Sequence, residues 1–111
     1  MIVQSWLVSR NLTELAGPWD ERLSRDQDGE YICRVVMNSE KIVFVKDAKC
    51  YYRIADLSSV SNNTSYKAAK SSLLAARLCI NYLMSLEDNE RTRGASVKFL
   101  EDILIIRINL I

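Results

Sequence analysis

The chain has 111 residues, 49% of them apolar, with three Gly and one Pro. That composition is too apolar and too poor in breakers for a disordered chain, and it suffices for a single domain, residues 1–111, with its own core. A formal net charge of +1 excludes a global field toward nucleic acid or membrane, and the absence of His removes the commonest general base and transition-metal ligand.

Charge is nevertheless uneven along the chain. Residues 1–30 carry three Arg against six acids, whereas residues 62–86 carry Lys67, Lys70 and Arg77 with no acid. Cys33, Cys50 and Cys79 are odd in number and widely spaced, which argues for free thiols rather than a disulfide framework or a zinc site. Met1–Val8 lacks a charged n-region and a cleavage pattern, so no signal peptide is expected. The longest unbroken apolar run, Ile103–Ile106, is far short of the ~20 residues that span a bilayer. A cytoplasmic protein without membrane association is the expectation.

In chain order, residues 2–8 read either as a strand or as the start of a helix. Leu12, Leu15, Ala16, Trp19 and Leu23 recur at helical steps that Pro18 interrupts, which predicts a short N-terminal helical segment and a break. Arg25–Gly29 reads as a turn. Glu30–Met37, Lys41–Lys46 and Cys50–Ala55 are rich in β-branched and aromatic residues and are separated by short polar turns. That pattern predicts an antiparallel meander over residues 30–55, with Tyr31, Cys33, Val35 and Met37 on one face of its first strand. Residues 56–63 are polar and read as a loop.

Thr64 or Ser65 caps a long helix, residues 65–86. Ala69, Leu73, Ala76, Ile80 and Leu83 form one stripe, widened by Leu74, Leu78 and Tyr82, that is expected to pack on the sheet. Glu87–Gly94 reads as a charged loop. Residues 103–111 hold five Ile and two Leu, which favours a C-terminal strand. A terminal helix stays open, because Val97, Leu100, Leu104, Ile108 and Ile111 also fall at helical spacing. The expected fold is therefore α+β: an antiparallel sheet of three to five strands, the long helix across one face, and a short helical segment at the N-terminus.

Nucleotide-binding and nucleophile-elbow motifs are missing, so no catalytic or cofactor site is expected; carboxylate acid–base chemistry is the one enzymatic route left. Asp26–Glu30 resembles a calcium loop only until the Gly29 register is applied. Val35 then falls at the closing ligand position, where it cannot ligate, and a solvated turn is the better reading, leaving no metal site. The basic start of the long helix suits an anion. Lys67 and Lys70 share a face, with Arg77 two turns on, and Lys46, Lys49 and Arg53 add positive charge from the strand region.

The order helix, three strands, helix over residues 11–86 resembles a double-stranded-RNA-binding domain. Ser65-Tyr66-Lys67-Ala68-Ala69-Lys70 is similar to the Ser-Lys-Lys-x-Ala-Lys start of that family's second helix. The resemblance implies that Lys67 and Lys70 contact phosphates. Tyr66 stands where the family has a lysine, and its Gly-Pro-x-His loop is absent. The function expected first is instead non-catalytic binding of another protein, of the inhibitor, immunity or anti-defence kind, with nucleic-acid binding second. A strand at 103–111 would be apolar on both faces, so Ile103, Ile105, Arg107 and Ile111 are candidates for a homodimer or partner interface.

Overall fold

Ser9 begins the first helix, α1 (Arg10–Ala16), where its side chain accepts the Leu12 N–H at 3.2 Å. The computed structural model describes residues 3–54 and 65–108, and every regular element in them is helical. A 3₁₀ turn at Val3–Ser5 precedes α1. The helix stops at Gly17, whose φ of 80° and ψ of 179° belong to a region essentially reserved for glycine. Pro18 follows and cannot extend the helix.

The largest correction falls on residues 30–37, read as the first strand of a meander. They lie inside α2 (Gln27–Asn38). Two features of the sequence outweigh its β-branched content. Glu30 and Arg34 stand four residues apart, and their side chains pair at 2.7 Å, a contact that requires one helical turn between them. Asp28 and Glu30 also lie in the first turn, where the helix dipole favours acids. α2 ends where Asn38 and Ser39 turn back to the carbonyls of Arg34 and Val36, both at 2.7 Å.

The remaining two expected strands have lost their first neighbour. Residues 39–54 form neither helix nor strand, and every residue from 40 to 54 is exposed. A turn at Lys46–Asp47 does form, closed by the Ala48 N–H on the Val45 carbonyl at 3.2 Å. No ladder joins the two arms. An isolated two-stranded hairpin is marginal in water, and here no third strand or apolar floor supports it. The α+β fold with an antiparallel sheet is thus replaced by a helical one among the described residues. The last part of the expected meander, Ala55, and the loop at 56–63 lie outside them.

The long helix does form, as α3 (Tyr66–Leu86), capped by Ser65, which accepts the Ala68 N–H at 3.2 Å. Its fully buried residues share only Ala76 with the predicted stripe. Ala68, Ser71, Ser72, Ala75 and Ala76 are buried, Ile80 and Leu83 are half-buried, and Leu73 is 56% exposed. Small side chains on this face let α2 approach closely. Ser71 also ties down the chain before α2: its Oγ accepts the N–H groups of Ser24 at 2.9 Å and Arg25 at 3.0 Å and donates to the Arg25 carbonyl at 2.8 Å.

The expected loop at 87–94 shrinks to three residues, because α4 (Glu90–Ile108) starts at once. Asn89 and Thr92 cap it reciprocally: Asn89 Oδ1 accepts the Thr92 N–H at 3.0 Å, and Thr92 Oγ1 accepts the Asn89 N–H at 3.1 Å. Residues 103–108, expected as a strand, complete this helix; 109–111 lie outside the described residues. Lys98 and Asp102 pair across one turn at 2.8 Å. α2 packs on α1 and α3, and α4 packs on α3, where Thr92 and Ser96 are buried.

Candidate functional site

Glu30 is the best-buried large side chain of the fold, 1% exposed. A carboxylate so placed must be paired and hydrogen-bonded. Arg34 Nε donates to its Oε1 at 2.7 Å and Nη2 to its Oε2 at 2.9 Å, a two-pronged contact, and the Tyr82 hydroxyl adds a third donor at 3.1 Å. Burial and then this bond to Glu30 push the Tyr82 phenol up. The third nitrogen of Arg34 donates to the Ala16 carbonyl at the end of α1. Its guanidinium lies 5.5 Å from the centre of the Tyr31 ring, which stacks on Trp19 at 4.8 Å. One buried charge pair thereby ties α1, α2 and α3 together, and it has little capacity left for acid–base chemistry.

Beside this pair, α2, α3 and α4 enclose an open cleft of about 570 Å³. Ala75, Ala76, Phe99 and Ile103 give it apolar walls, Arg25, Asp26 and Asp28 stand at the α2 end, and Cys33 from α2 and Cys79 from α3 both line it. The neighbouring Cys79 thiol lowers the Cys33 thiol, against the opposing effects of burial and the Glu30 charge. The neighbouring Cys33, reinforced by burial, raises Cys79. All three cysteines are free thiols. No group of metal-binding side chains occurs among the described residues.

The predicted anion-binding residues are distributed over two regions. Lys67, Lys70 and Arg77 are exposed on α3, along one side of the helix, and α3 has no acidic residue over its length. Lys46, Lys49 and Arg53 are exposed on the irregular segment after α2, which the Cys50 thiol ties to the Gln4 carbonyl at 3.6 Å. Of the predicted interface residues, Ile103 lines the cleft and is half-buried, Ile105 is exposed, Arg107 falls in the last turn of α4, and Ile111 lies outside the described residues.

Sequence reasoning missed Glu30, Arg34, Tyr82 and the Cys33–Cys79 pair. The i, i+4 spacing of Glu30 and Arg34 was the available signal. Nothing in the sequence brings Cys33 and Cys79 together across the 45 residues between them. The fold and site define a helical protein organised around one buried ion pair and a cleft with two thiols. No family model, curated protein or solved structure matches the chain. No helix among the described residues is long and apolar enough to cross a membrane.

Proposed function

We propose that this protein acts by stoichiometric binding to another protein and performs no chemistry of its own. One observation carries the reading: among the described residues half of the large apolar side chains are exposed and few are fully buried, so the buried core consists mostly of small ones. Among the described residues the buried apolar set is Leu23, Ile32, Val35 and four alanines, whereas seventeen large apolar residues are exposed. Single exposed apolar residues are ordinary, but runs of them mark interaction surfaces. Ile42, Val43, Phe44 and Val45 form such a run, followed after the turn by Tyr51, Tyr52 and Ile54; Phe44 is 88% exposed. An extended, β-branched and aromatic segment without a ladder is suited to adding to the edge of a partner's sheet. An inhibitor, immunity or anti-defence role in the cytoplasm is the form we favour, given the small chain and the missing catalytic motifs.

The test is recovery of the tagged chain from its own cells, with the mass of the complex measured intact. The wild type is expected in a complex of fixed stoichiometry with a second protein, and Phe44→Glu with Tyr52→Glu should abolish it without loss of helix content. Recovery of the free chain alone would refute the reading. A homodimer would shift the function to self-association, with the exposed Ile105 of α4 as the first residue to replace by Lys.

Binding of nucleic acid is the second reading, supported by the acid-free α3 with Lys67, Lys70 and Arg77 exposed. The strand order that suggested a double-stranded-RNA-binding domain is not present, so its support is now electrostatic only. Affinity for a duplex should then fall steeply with salt and vanish in the Lys67→Glu, Lys70→Glu variant.

A further inference from the structure

We propose that Cys33 and Cys79 are a modification site, forming a reversible disulfide across the α2–α3 contact with a hydroperoxide as oxidant. Three features of the fold support it. The two thiols come from packed helices, α2 and α3, one turn from the 3.1 Å contact of Glu30 with Tyr82, and line the same cleft. Both line a cleft that opens to solvent, so a molecule as small as hydrogen peroxide has access. Their neighbours Ala75, Ala76 and Ser72 are small and buried, so the helix axes are already drawn together where the bond would form. Closing it brings the two sulfurs across the cleft to a bond of about 2.05 Å.

The opposite shifts of the two thiols set the order of events. The neighbouring Cys79 holds the Cys33 thiol down while Cys79 itself is pushed up, so Cys33 supplies the thiolate, and the thiolate is the reactive form. Its sulfur attacks one oxygen of the peroxide; the O–O bond breaks, a sulfenic acid forms on Cys33, and the departing hydroxide takes a proton to become water. The Cys79 sulfur then attacks the Cys33 sulfur. The S–S bond forms, the S–O bond breaks, and the second hydroxide leaves as water with the proton of Cys79. Two thiols and one peroxide give one disulfide and two waters, the two electrons passing from sulfur to peroxide. Cys50 is exposed on the irregular segment and takes no part.

The experiment treats the reduced chain with one equivalent of hydrogen peroxide, quenches with acid and counts thiols after unfolding. The count should fall from three to one, a digest should yield Cys33 joined to Cys79, and dithiothreitol should restore all three. A Cys50→Ser chain should lose both remaining thiols without forming a dimer. In Cys79→Ser, dimedone should trap a sulfenic acid on Cys33. A Cys50→Ser protein that keeps both thiols, or a disulfide found only between chains, overturns the proposal. A dimedone adduct on Cys79 in Cys33→Ser, with none on Cys33 in Cys79→Ser, overturns the assigned order.

Discussion

The two faces of α3 behave oppositely. One presents Ala68, Ser71, Ser72, Ala75 and Ala76 and is buried; the other presents Tyr66, Lys70, Leu73 and Arg77 and is exposed. A reading by hydrophobicity alone places the leucines inside. The observed choice follows from geometry: small side chains allow two helices to approach closely, and the buried Ser71 meets its hydrogen-bonding needs across the packing, on the Ser24–Arg25 backbone. Burial on α3 is therefore set by how close α2 must come, and Leu73 is left in solvent.

That contrast is most exposed to test at the buried pair which holds α2 in place. Glu30→Ala should destabilise the protein by about 2–4 kcal/mol, because the half-buried Arg34 and the Tyr82 hydroxyl lose their carboxylate partner. Replacing both with apolar residues of similar size should recover most of the loss. Urea unfolding of the three variants checks this; a single variant as stable as the double would show that the pair is ornamental. Next in size is Ala68, fully buried on the small face. Ala68→Leu should cost about 1–3 kcal/mol by forcing α2 away. Leu73→Ala, on the opposite face, should cost less than about 0.5 kcal/mol in the isolated chain. Comparable losses at positions 68 and 73 would erase the distinction between the faces.

The smallest expected effect lies farthest from the core. The Arg22 side chain, hydrogen-bonded to both Asp20 oxygens, holds that carboxyl down from 3.8 to about 2. A depressed carboxylate contributes stability that is present above the ordinary value and lost as pH falls through the folded one. The stability difference between wild type and Asp20→Asn should thus be constant above about pH 5 and close between 3.8 and about 2. A difference unchanged across that interval would mean that the pair contributes nothing.

The sequence disclosed α3 through the Ser65 cap and the helical apolar spacing after it, and the short α1 through the spacing of Leu12, Leu15 and Ala16 before Pro18. α2 was hidden by Tyr31, Ile32, Val35 and Val36, whose side chains favour strands; the decisive Glu30–Arg34 spacing competed with them and won through tertiary burial. α4 was half legible, since Asn89-x-x-Thr92 is a cap but Gly94 and the isoleucine-rich end point away from a helix. The basic residues of α3 were found because charge can be counted. The cleft and its thiols could not be found, since they exist only once α2 and α3 are packed.

The inside–outside division of α3 and α4 is tested most directly by the accessibility of methyl groups to a soluble paramagnet in the isolated protein. Side-chain signals of Leu73, Leu104 and Ile105 should be strongly relaxed, and those of Ala68, Ala75 and Ala76 should be shielded. Shielded leucines beside accessible alanines would contradict the packing described here.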